Sequence, residues 1–200
     1  MRTLSLALTC VAGLAIAVTA QAPPSTQKPP QPGGQRRAPI AVMTLTSSAW
    51  PDGGQIPNKY TQAGEELSPP LAWSNVAEDA QSFVLMVRDL DAVTNNGAEV
   101  LHWMLWNIPG ATRSLPEGVP QGAQLPDGTR QISQSGPYYR GPGAPASGPA
   151  HHYVFELYAV DGPINVPAVG QSPAATRDAV LAAMVGRVRG KGVYVGLFKR

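Results

Sequence analysis

Three strings in this chain hold the residues best suited to chemistry. Asp89-Leu90-Asp91-Ala92 sets two carboxylates directly behind an apolar run, and His102-Trp103 opens the next such run. Gly141-Pro142-Gly143-Ala144-Pro145 is a turn rich in Gly and Pro, with His151-His152-Tyr153 opening the run after it. Carboxylates beside imidazoles can fix a tautomer, move a proton or organise donors around an anion. If the three runs are antiparallel neighbouring strands, the Asp pair at the end of one meets the histidines at the start of two others. All of these polar groups then gather at one end of a sheet, walled by the Gly/Pro turn. Other chemistries fit less well. Two His and one Asp could form a metal triad, but no His has a partner at the short spacing of a helical metal motif, so no metal is assigned. Asp89 and Asp91 lie on one side of a strand end, without the facing carboxylate that glycoside cleavage requires. No G-x-S-x-G elbow is present for serine hydrolysis.

The elements that must position these residues follow from composition and patterning. Two hundred residues allow one ordinary domain with appendages, and the net charge of +2 with no dense Lys/Arg run argues against nucleic acid. Gly and Pro number 21 each, together roughly a fifth of the chain against a usual eighth or so. That excess favours short strands, many turns and long loops over a helix bundle. Met1–Ala20 reads as a secretory signal peptide: Arg2 gives the positive start, Leu4–Val18 is apolar, and Val18-Thr19-Ala20 supplies small residues for cleavage. Its run of about 15 residues is short of the roughly 20 needed to span a bilayer. The expectation is therefore a periplasmic or secreted protein, with no integral span after cleavage. The single cysteine, Cys10, lies inside this segment. The mature chain then has no thiol nucleophile, cysteine metal site or internal disulfide.

Residues 21–39 (QAPPSTQKPPQPGGQRRAP) offer almost nothing apolar to bury and read as a disordered or extended linker. The folded domain is expected over 40–200. Ile40, Val42 and Leu45 begin a first strand. Ser82–Asp89, His102–Ile108, Tyr153–Val160 and Gly192–Phe198 predict further strands, the first three buried on both faces. One helix is predicted from Ser172 as N-cap and Pro173 in the first turn to a stop at Gly186. Residues 110–150 predict a long ordered loop system over the sheet. Trp50, Trp73, Trp103 and Trp106 read as core, with Trp103 able to line a pocket edge beside His102 and Trp73 packing beside the extended Ser68-Pro69-Pro70 corner.

The ordered set SPPLAW, DLDA after a buried strand, HWMLWNIP, and GPGAP followed by HHY resembles the bacterial branch of the phosphatidylethanolamine-binding (Raf-kinase-inhibitor-like) family, and the resemblance covers residues 41–200. It implies a mostly β fold: a large antiparallel sheet packed on a smaller one, with a helix near the C-terminus and a small pocket at one sheet end for phosphate, acetate or a phospho-headgroup. On that resemblance the ligand-binding residues are Asp89, His102, Gly141, Gly143, Pro145, His151 and Tyr153, with Asp91, Trp73 and Trp103 in support. His152 stands where the family usually has Arg. Leu90 and Val93 replace both prolines of the family's DPDAP string, which predicts a less rigid loop around Asp89. Gly143 and Ala144 soften a wall that often reads GPCPP.

Such a set suits an anion receptor. His102 and His151 can each supply an N–H, Tyr153 a hydroxyl, and the Gly-rich wall backbone N–H groups unobstructed by a Cβ. Asp89 would repel an anion it faced directly, so its expected role is to accept from one imidazole and fix its tautomer. Asp91 is expected to serve the loop by accepting backbone N–H groups. The expected partner is a small anion (phosphate, carboxylate or phospho-headgroup), with no cofactor and no turnover. A protein target, which the pocket rim would dock and inhibit, and a homodimer remain open. The competing reading is a small hydrolase or lyase that uses His102 or His151 as proton carrier.

Overall fold

A computed structural model of the chain describes residues 39–94 and 97–200. The expected signal peptide and all but the last residue of the expected linker lie outside the described residues. Ten strands and one helix follow in order: β1 (Ala41–Val42), β2 (Thr44–Thr46), β3 (Gly54–Gln55), β4 (Leu71–Ser74), β5 (Ser82–Val93), β6 (Glu99–Pro109), β7 (Ser114–Leu115), β8 (Arg130–Ile132), β9 (His151–Val160), α1 (Pro173–Met184) and β10 (Val188–Phe198). The large sheet has the order β1-β10-β9-β5-β6-β8, with β3 also on β10; β2, β4 and β7 make the smaller one. Its long central strands pair antiparallel, while the two-residue strands β1 and β3 run parallel to β10.

β5 shows why a continuous apolar run needs cover on two sides. Phe83, Leu85 and Val87 point into a core shared with the smaller sheet, alongside Leu45, Trp73, Trp103 and Phe155. Val84 and Met86 point the other way, into a second core beneath α1 with Trp106, Ile164, Val180 and Met184. Each such side chain contributes roughly 1.5–3 kcal/mol on burial, so β5 stabilises both layers at once. The helix begins where the sequence predicts: Ser172 Oγ accepts the Ala175 N–H at 3.2 Å. Thr176, Val180 and Met184 form its buried face, and Gly186, at a φ of 75°, takes the left-handed turn beyond its end.

Several expectations are adjusted. The Ser68–Trp73 string is a corner only as far as Pro70; from Leu71 it becomes β4, the middle strand of the smaller sheet. β5 does not stop at Asp89 but continues to Val93. The 110–150 segment contributes β7 and β8 to the two sheets rather than loop alone. No helix among the described residues is long and apolar enough to cross a membrane.

Candidate functional site

β5 pairs antiparallel with both β6 and β9, so the end of β5 meets the starts of its two neighbours. Asp89, His102, His151 and Tyr153 converge there on a cavity of about 210 Å³, with Gly143 and Pro145 on its wall. That volume is below the roughly 300–1,000 Å³ of sites for drug-sized ligands and suits a group of a few heavy atoms.

Local irregularity aims these side chains. Val87 pairs with Trp103, whereas the next residue, Arg88, pairs with Leu101. His102 is thus an extra residue on β6, a bulge. Trp103 lies in the core under the smaller sheet and Leu101 in the core under α1. Strict alternation would send His102 to the α1 side with Leu101's layer; the bulge turns it to the opposite side, where its ring meets that of Tyr153 edge-on at 5.1 Å. Trp103 is fully buried and stacks edge-on against Tyr139 at 5.4 Å. It supports the wall from behind and does not line the cavity edge. Trp73 is likewise a core residue, packed on Phe83 at 5.4 Å, away from the cavity.

Asp89 is nearly inaccessible at 3% exposure, which a carboxylate tolerates only with partners. Its Oδ2 lies 2.9 Å from His151 Nδ1, and its Oδ1 accepts the N–H groups of Asp91 at 2.9 Å and Ala92 at 3.1 Å. The contact expected between Asp89 and an imidazole is present, to His151. The local loop-bonding expected of Asp91 belongs to Asp89 instead. Asp91 reaches across to β9, accepting the His152 N–H at 2.6 Å and lying 2.9 Å from His152 Nδ1; those bonds hold its carboxyl below the usual aspartate range. Leu90 and Val93 are exposed and give the segment no proline rigidity, but these carboxylate bonds tie it in place.

The wall differs from expectation in one respect. Its N–H groups are not free donors: Gly143 and Ala144 both donate to Tyr153 Oη at 3.2 Å, and Gly141 donates to Glu66 Oε1 at 3.1 Å. Gly141 stands behind the cavity rather than on it. A Cβ there would lie 2.8 Å from the Tyr60 carbonyl oxygen, and one on Gly143 would lie 2.4 Å from the Gln62 amide nitrogen, so close approach is why both are glycine. Tyr153 Oη accepts two N–H groups, and its own proton is directed to the Asp89 carboxylate. Burial, then the charge of Asp89, pushes its pKa well above the ordinary tyrosine value.

His102 also departs from its expected role as a donor. Its Nδ1 lies 2.8 Å from the Arg140 carbonyl, and a carbonyl can only accept, so Nδ1 carries the proton. Burial lowers the His102 pKa, outweighing the Arg140 carbonyl bond and the charge of Asp89, which raise it. The neutral ring therefore presents a lone pair at Nε2.

Arg140, Gln62 and Gln134 border the cavity too, and sequence reasoning missed all three. Arg140 donates its backbone N–H to the His102 carbonyl at 2.9 Å and its Nη2 to Gln62 Oε1 at 3.3 Å. Its Nε is buried without a partner among the described residues. The available signal was its position directly before the Gly141–Pro145 wall; Gln62 gave none. No group of three or more His, Cys, Asp or Glu positioned to hold a metal occurs among the described residues.

The comparisons with known proteins agree with this architecture. Residues 46–199 match the family described as phosphatidylethanolamine-binding protein. A UPF0098 protein of Methanothermobacter thermautotrophicus is 41% identical over 160 residues, covering 79% of this chain and 99% of that one. A putative lipoprotein, LppC, of Mycobacterium tuberculosis is 31% identical over 179 residues, covering 88% of this chain and 84% of that one. The crystal structure of Escherichia coli YbcL, described as a new member of the mammalian PEBP family, superposes with a TM-score of 0.65 at 26% identity, covering 80% of this chain and 99% of that one. With its two-sheet fold, its C-terminal helix and a match across three quarters of its length, the chain belongs to the phosphatidylethanolamine-binding protein family.

Proposed function

We propose that the protein holds a small anion, such as a phosphate, a carboxylate or the phosphate of a lipid headgroup, in the cavity at the end of β5, β6 and β9. The observation that carries this reading is Arg140, which borders the same small cavity as His102, His151 and Tyr153 and whose Nη2 donates to Gln62 on that border. A cation at so small a cavity offsets the cost that an anion meets on leaving water. Capture rather than turnover is favoured because no Ser, Thr or Cys side chain among the described residues borders the cavity and Asp89 is occupied on both oxygens. Export is part of the proposal, resting on Met1–Ala20 and on the similarity to a putative lipoprotein. Docking of a protein target on the rim at exposed Pro145 is a further use that this surface permits.

Isothermal titration with inorganic phosphate tests the reading. Binding should be saturable and fall by about tenfold or more in Arg140→Ala, the worth of a charged hydrogen bond. No binding to the wild type, or unchanged affinity in the variant, overturns it. One observation favours a second reading: His151 donates through Nδ1 to a carboxylate, as a general base does. Phosphatase or esterase turnover that vanishes in His151→Ala would establish an enzyme instead.

A further inference from the structure

Arg140 and His102 are joined twice through the backbone. The Arg140 N–H donates to the His102 carbonyl, and the His102 ring donates back from Nδ1 to the Arg140 carbonyl. The same residue therefore fixes the histidine's tautomer and carries a guanidinium that reaches Gln62 on the cavity border. The groups around the ring are Asp89 on β5, Tyr153 on β9, and Arg140 with the Gly141 carbonyl on the wall. Arg140's charge disfavours a second cation on His102. The ring's hydrogen bond to Arg140 runs through Nδ1, the Gly141 carbonyl lies near enough to raise the ring's pKa as well, and the ring borders the cavity, so Nε2 is the nitrogen left for a ligand.

We infer that His102 makes the cavity selective for anions that carry their own hydroxyl proton. Hydrogen phosphate or a protonated phosphate monoester sets an oxygen against Arg140 and donates its P–O–H to Nε2. A sulfate or a phosphodiester turns a lone pair toward a lone pair. A site built around a buried acceptor rejects the analogue that lacks the donor, because the acceptor is then desolvated and unpaired. This inference rests on the anion-binding reading and narrows it from anions in general to hydroxyl-bearing phosphates.

The test compares two ions of nearly equal size. Inorganic phosphate keeps a hydroxyl at neutral pH and sulfate has none. Titrated into the full chain at about pH 7, where the neutral imidazole prevails, phosphate should bind at least about tenfold more tightly than sulfate. His102→Gln, whose amide can turn either way, should bring the two within about twofold. Arg140→Ala should weaken both and leave their ratio, since the tautomer depends on its backbone carbonyl. Phosphoethanolamine against glycerophosphoethanolamine at about pH 6, near the second ionisation of a phosphate monoester, separates a free monoester from a diester headgroup; the monoester should win.

Equal binding of phosphate and sulfate by the wild type overturns the selectivity and leaves the anion site standing. Binding of neither overturns both. A ratio that survives His102→Gln, or preference for the diester, overturns the assignment to His102. If His102→Gln does not fold, the wild type still decides: sulfate should tighten as pH falls, when His102 gains the missing proton, and phosphate should change much less.

Discussion

Oδ2 of Asp89 lies 2.9 Å from Nδ1 of His151 while Oδ1 of the same carboxylate accepts two backbone N–H groups. One buried side chain thus orients the imidazole and closes the turn that carries it past the sheet ladder, since pairing of β5 with β9 ends at Asp89 and Tyr153. Asp91 and His152 repeat the pairing on the exposed side. The inner pair is the one in the cavity.

Removing the inner carboxylate should therefore cost stability before it changes ligand chemistry. Asp89→Ala leaves the His151 ring, the Tyr153 hydroxyl and two backbone N–H groups without their acceptor, and each buried unsatisfied group costs about 1–3 kcal/mol. Urea unfolding should show a loss of at least that size. Asp91→Ala, at a largely exposed site, should cost less than half as much.

The wall glycines should separate in the same assay. At Gly141 an added Cβ meets backbone, the Tyr60 carbonyl oxygen at 2.8 Å and the Thr61 carbonyl carbon at 2.9 Å. At Gly143 it meets the end of the Gln62 side chain, which can move. Gly141→Ala should lose about 1–3 kcal/mol by overpacking. Gly143→Ala should unfold near the wild-type midpoint but bind phosphate more weakly, because Gln62 would let go of Arg140.

Alkaline titration reports on Tyr153. Its folded pKa, like that of buried Tyr139, is raised well above the ordinary value of 10.0. The unfolded chain then releases those protons first. Stability should be full below about pH 10 and decline as pH rises above it. Absorbance of phenolate should show these two tyrosines titrating only with unfolding. Early, reversible ionisation of all six tyrosines would contradict the hydrogen-bonded, desolvated site.

His102 gives the opposite sign. A histidine whose folded pKa lies below its ordinary 6.5 stabilises the fold above that value, and the contribution is lost as pH falls below it. Long-range nitrogen–proton correlation spectra should show His102 at neutral pH as the tautomer protonated on Nδ1. A proton on Nε2 in the free protein would remove the basis for hydroxyl selectivity.

Much of this was legible in the residues themselves. Apolar runs at Ser82–Asp89, His102–Ile108 and Tyr153–Val160 had to be buried strands, and polar groups at their ends had to meet once those strands paired antiparallel. That reasoning, with the ordered motifs, was enough for the family, the sheets, the helix from Ser172 and the cavity residues Asp89, His102, Gly143, Pro145, His151 and Tyr153. Three matters were decided only by tertiary structure. A two-residue period cannot reveal that His102 sits in a bulge, because the bulge exists only in the register of β6 against β5. Nor can a Gly/Pro string show where its N–H groups go; here Tyr153 and Glu66, remote in sequence, take them. Arg140 looked like one cation among fifteen, and it joins the cavity border because the wall folds its backbone onto His102. Sequence lists which donors and acceptors exist, and only the packed chain decides which remain unspent.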